Sequence, residues 1–128
     1  MALGKIKADT LEHSTAGSLD TQYVVKGSAK VWASFSMSSF ATRDSFNSSS
    51  LTDNATGDCR INLSSAMSNS NYAVSGTGGD AATSFTGGQR AGGGYCLSTS
   101  IVGISFVYQN NGAVDPVLGF GSVLGDLA

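Results

Sequence analysis

Apolar and polar side chains alternate along "KVWASFSM" (30–37): Val31, Ala33, Phe35 and Met37 fall on one side, Trp32, Ser34 and Ser36 on the other. A period of two is the mark of a half-buried strand. Trp32 breaks the pattern, and a large aromatic on a polar face marks a contact surface. Phe46 and Leu51, both expected as core sites, flank a serine run, which predicts a bend near 47–50. "TDNATGD" (52–58) has hairpin-turn chemistry, with Gly57 suited to positive φ. "CRINL" then puts Cys59, Ile61 and Leu63 inward, "SSAMSNSN" reads as a second turn, and "YAVSG" puts Tyr72 and Val74 inward. Four strands in about fifty residues is the spacing of a meander.

The flanks read differently. Residues 1–28 are polar, with a weak strand predicted at Gln22–Lys26 and a flexible connector at "STAGSLD" (14–20). In "GTGGDAATSFTGGQRAGGG" (76–94) eight of nineteen residues are glycine, and Phe85 is the only large apolar one. A long loop is expected there, and long loops in compact domains carry function or disorder. "YCLSTSIVGISFVY" predicts one long or two short strands with Val102, Ile104, Phe106 and Tyr108 in register, followed by a tight turn at "QNNG". The glycine-punctuated end "AVDPVLGFGSVLGDLA" holds the only proline, Pro116, expected at an edge or turn. Its Val117, Leu118, Phe120, Val123, Leu124 and Leu127 are too many for a solvated tail, and pack against this domain or a neighbour.

Composition supports one all-β domain. Of 128 residues, 48 are Gly, Ser or Thr, and only 12% are charged, against about a quarter in ordinary domains. Disordered chains pair low hydrophobicity with high charge, and this chain has neither. A net charge of −2, a pI near 5.0 and scattered basic residues argue against a nucleic-acid partner. No stretch has the length of a membrane-spanning helix, and the first residues lack the apolar core of a signal peptide.

Catalytic chemistry is hard to assemble from these residues. His13 is the only histidine and lies in the polar N-terminal segment, so any triad would depend on it alone. Cys59 and Cys96 stand 37 positions apart; free thiols are expected over a bridge, and one histidine with two distant cysteines makes a zinc site improbable. "TGGQRAGGG" lacks the Lys-Ser/Thr ending of a phosphate loop. "DNATGD" lacks the alternating acids and terminal glutamate of a calcium loop, and Asp53 with Asp58 lacks the facing geometry of a glycosidase pair. The sequons at Asn47, Asn54 and Asn62 carry no weight without a secretory route. Neither an enzyme nor a cofactor is expected. The glycine-rich segment is either a plain surface connection or a contact loop, in which Asp80, Phe85, Gln89 and Arg90 supply the selective groups.

The motifs of residues 27–74 bear a resemblance. Ala29-Lys30-Val31-Trp32, Arg43-Asp44-Ser45-Phe46-Asn47, Thr52-Asp53-Asn54 with Gly57-Asp58, Ile61-Asn62-Leu63, and Ala66-Met67 with Asn71-Tyr72 follow one another in unbroken order. This resembles a module found at the ends of tail fibres and related virion proteins of bacteriophages, especially marine ones. The departures are Cys59, where the family has tyrosine, and Ile61 and Leu63 in place of valine and phenylalanine. Residues 76–128 match no pattern of that family.

The resemblance implies a homotrimer attached to the virion on its N-terminal side and meeting the host distally. On that reading the chain is an all-β protein, a small antiparallel β-sandwich or meander with an extended N-terminal arm (1–26) and one β domain (27–128). Trp32, Leu118, Phe120 and Leu124 would pack between subunits, and the 76–94 segment would face a host glycan or outer-membrane protein. The expected function is a non-enzymatic tail fibre or receptor-binding tip, made in the host cytoplasm and located in the virion beside other tail or capsid proteins. The alternatives are a head fibre or capsid decoration protein and, from another class, a carbohydrate-binding module. A depolymerase fragment has less support, because no paired carboxylates on a long repeating scaffold are visible.

Overall fold

The computed structural model describes residues 4, 7–79, 90–108 and 112–128, with the side chains of 90 and 91 excepted. From the N-terminus, β1 (Thr10–His13) and β2 (Gly17–Asp20) form a two-stranded antiparallel ribbon, with Leu11 opposite Leu19. The ribbon leads into a short helix, α1 (Thr21–Gly27). The strand expected at Gln22–Lys26 is therefore helical, and part of the expected connector 14–20 is β2. Val24 and Val25 favour a strand by propensity, but a strand needs a ladder partner, and among the described residues none pairs with them. The helix is held at both ends instead. The Thr21 amide and hydroxyl donate to the carbonyls of Asp9 and Ala8. At the other end, the buried Lys30 ammonium donates to the carbonyls of Val25 and Ser28, as a cation near a helix C-terminus favours.

The remaining strands make one antiparallel sheet: β3 (Ala29–Ser36), β4 (Ala41–Phe46), β5 (Ser48–Ala55), β6 (Asp58–Leu63), β7 (Ala73–Gly79), β8 (Arg90–Cys96), β9 (Ile101–Tyr108), the two-residue β10 (Gly112–Ala113) and β11 (Leu118–Leu124). Their spatial order is β4-β3-β11-β7-β8-β9-β6-β5, with β10 also paired to β9. The protein is all-β and antiparallel, and the sheet curls into a near-barrel whose last strand, β5, returns against β3 and β4. Local hairpins form as the turn chemistry predicts. The meander nevertheless breaks twice: β11 separates β3 from β7, and β6 lies beside β9.

The inward face follows the alternation read from the sequence. Val31, Ala33, Phe35, Met37, Cys59, Ile61, Val102, Ile104, Phe106 and Val123 are all buried there, with Phe35 and Phe106 edge to face at 6.1 Å between ring centres. Leu51, Leu63 and Val74 are half-buried against this cluster. Phe46 is a correction: it pairs with Trp32 on the outer face and is 52% exposed. Met67, expected within a polar turn, is a second: it is 1% exposed and bridges to Leu127.

The glycine-rich segment is the largest correction. Its two ends are strand, pairing Ser75 with Gly93, Gly76 with Gly92 and Gly78 with Arg90. Only residues 80–89 connect them, and these lie outside the described residues. Glycine is required here by close packing: a Cβ on Gly76 would come 2.6 Å from Ile104 Cγ2, and one on Gly92 would meet the Gly76 backbone at 2.5 Å. Pro116, expected at an edge or turn, stands between β10 and β11 and is fully buried, its carbonyl accepting from the Met37 amide at 3.0 Å.

Candidate binding face

The register of the sheet lines up one row of outward residues across seven strands: Phe46, Trp32, Ser122, Ser75, Gly93, Ser105 and Asp58. The next row places Phe120 between Ser34 and Thr77. Trp32 and Phe120 are therefore diagonal neighbours across β3 and β11, close enough for large side chains to share a site. Between them lies a groove of about 460 Å³. Its floor is the backbone at Gly76 and Gly121, whose missing side chains would point inward at Ile104. The Ser75 and Ser122 hydroxyls meet at 2.8 Å beside it. Among the described residues no charged side chain lines the groove. The nearest in register is Asp44, opposite Ser34, and its carboxylate accepts from the Ser45 amide at 2.8 Å.

A second outward cluster lies over β6, β8 and β9. Tyr95 lies flat over Gly103, its opposite residue on β9, where any side chain at 103 would collide with the ring. The phenol reaches past Gly103 to donate to Asp58 at 2.6 Å. Partial burial and the Asp58 carboxylate both hold the Tyr95 phenol above its usual pKa. Tyr72 is also raised, by burial first, and its hydroxyl donates to the carbonyls of Ser98 and Ile101. These hydrogen bonds tie Tyr95 to β6 and Tyr72 to the β8–β9 connection and the start of β9.

Of the residues singled out in the sequence, Trp32 and Phe120 come together. Leu124 is 45% exposed at the far end of β11. Leu118 is 7% exposed, buried by its own chain. Asp80, Phe85 and Gln89 lie outside the described residues. Arg90 is in β8, opposite Gly78 and Tyr108, with its side chain not described.

His13 ends β1, its Nδ1 accepting from the amides of Thr15 and Ala16 in the following turn at 3.3 and 3.2 Å. Cys59 and Cys96 are free thiols, the first buried and the second exposed. Burial, reinforced by Asp53 and Asp58, pushes the Cys59 thiol up to about 12. Among the described residues no three His, Cys, Asp or Glu side chains gather closely enough for a metal ion.

Sequence reasoning missed Asn47 and Tyr95. Asn47 has φ +56, donates to the carbonyls of Lys30 and Ser65, and accepts from the Ser65 amide at 2.7 Å. The signal was present, since a lone Asn between two strand patterns is a candidate for the left-handed region. Nothing in the sequence pairs Tyr95 with Gly103 before the register is known. Comparison with protein-family models, with curated proteins and with solved structures finds no match to this chain.

Proposed function

We propose that the chain is a non-enzymatic bacteriophage virion protein, a trimeric tail-fibre or receptor-binding tip whose outer face meets the host surface. The observation that carries the assembly is the N-terminal unit. It is a two-stranded ribbon and a seven-residue helix with no buried residue. Leu11, Leu19, Tyr23, Val24 and Val25 are all exposed on it. A lone two-stranded ribbon is marginal in water, and a helix of two turns is below the length that holds by itself. Cover from neighbouring subunits or from a virion protein would bury those side chains. Phe46 and Leu127 extend the apolar surface, lining a hollow shared with Val25.

The motif residues behind the resemblance have structural roles in this fold. Asn47 turns the β4–β5 corner, and the Gly57 amide donates to Asp115 at 2.6 Å. Met67 and Tyr72 close one end of the core.

The test is the mass of the purified chain by light scattering at micromolar concentration, with and without residues 8–27. A trimer that falls to monomer on deletion is the expected result, and a full-length monomer overturns the assembly. Adsorption of labelled protein to host cells, with competition against phage particles, tests the receptor role. Labelling confined to the capsid of intact virions would make the chain a head fibre or decoration protein instead.

A further inference from the structure

We propose that the groove between Trp32 and Phe120 binds a neutral pyranose unit of a host surface glycan. The inference rests on the receptor-binding reading and gives it a site and a ligand class.

Four observations select the ligand. The groove is about 460 Å³, within the range of small-ligand sites. Its flanks are two aromatic side chains set diagonally on adjacent strands, and such faces take up the C–H face of a sugar ring. The Ser75–Ser122 pair stands beside them, and hydroxyls both donate and accept, as sugar hydroxyls do. Finally, among the described residues no charge lines the groove. A carboxylate, phosphate or ammonium bound there would lose water with no countercharge to replace it.

Other occupants fit the face less well. An extended peptide adds to a sheet through free backbone groups, but β3, β11 and β7 are paired on both sides here. A second copy of the chain needs about 800 Å² per partner with large side chains at its centre. Phe46 stands beside Trp32 on the β4 side, and toward β9 the row continues as Ser122, Ser75, Gly93 and Ser105. The side toward β9 is small and hydroxylated, which suits a ligand of one or two sugar rings.

Trp32 is the only tryptophan, so intrinsic fluorescence reports on this groove alone. The full chain is titrated with the methyl glycosides of glucose, galactose, mannose and N-acetylglucosamine, and in parallel with N-acetylneuraminic acid and glucuronate. The expected result is a saturable change with at least one neutral glycoside, with a Kd on the order of 1 mM, and none with the anionic sugars. Phe120→Ala weakens that binding about tenfold. Ser122→Val, which suits an exposed strand position, weakens it without changing the unfolding midpoint.

No response to any neutral glycoside overturns the proposal, as does equal binding of the anionic sugars. Emission that follows protein concentration and ignores sugar also overturns it, and shows that a second copy covers Trp32. Host-cell adsorption separates the two levels. If the wild-type chain adsorbs to cells and Trp32→Ala adsorbs equally well, the groove fails and the receptor role stands. If the wild-type chain does not adsorb, the receptor role fails, whatever the sugar titration gives.

Discussion

Ile104 of β9 reaches across the interior to Gly121 of β11, and its terminal methyl occupies the space a side chain at 121 would need. The same isoleucine presses on Gly76 of β7. One large residue thus serves two glycines on neighbouring strands. Gly76→Ala or Gly121→Ala overpacks this point and is expected to cost about 1–3 kcal/mol in urea unfolding. Combining Gly121→Ala with Ile104→Ala should cost less than the sum of the two single changes, a coupling that a double-mutant cycle reads directly.

Asn47 combines a left-handed backbone with three side-chain hydrogen bonds at the β4–β5 corner. Asn47→Gly loses the bonds and keeps the easy backbone. Asn47→Ala loses both, and should be the less stable of the two by about 1 kcal/mol. Equal midpoints for the two variants would show that the backbone conformation contributes nothing.

Cys59 and Cys96 should differ sharply in reactivity. In the native protein a thiol reagent should modify Cys96, which is exposed, and leave Cys59 untouched until the chain unfolds. The folded Cys59 thiol titrates near 12 against an ordinary value of 9.0. The folded state therefore holds its proton more tightly than the unfolded chain does. The associated stability is complete below about pH 9 and is lost as pH rises toward 12. Tyr72 and Tyr95, raised from 10.0, push in the same direction at high pH. Unfolding midpoints measured from about pH 8 to pH 10.5 should fall, and fall less steeply in Cys59→Ser.

Tyr95 separates ring from hydroxyl. Tyr95→Phe keeps the cover over Gly103 and loses the bond to Asp58, at an expected cost of about 0.5–1.5 kcal/mol. Tyr95→Ala also strips Gly103 of its cover and should cost clearly more. If both variants match wild type in thermal unfolding, the cross-strand tie is only decorative.

Much of the fold was legible because burial follows a period of two. The positions Val31, Ala33, Phe35 and Met37 could be read before any partner strand was known, and so could Ile61 and Val102 to Phe106. What escaped depended on partners far away in the chain. Glycine at 76 and 92–94 signals a loop when read locally, yet the cause is Ile104, Val74 and a neighbouring backbone arriving from elsewhere. Phe46 looked like core because it is apolar, but the register with Trp32 turns it outward. Met67 sits among serines and asparagines, and its place in the core cluster beside the Leu127 bridge depends on distant parts of the chain. The groove was half legible: Trp32 stood out as an aromatic on a polar face, while its pairing with Phe120 needed β11 to lie beside β3.

That placement of β11 also sets a clock on biosynthesis. The strand at 118–124 fills the gap between β3 and β7. Until it emerges from the ribosome, both strands present a bare edge, and bare edges recruit other chains. The sheet can therefore close only after translation has passed residue 124. A chain cut short before residue 118 leaves β3 and β7 with edges that β11 covers in the finished protein, and belongs in the insoluble fraction.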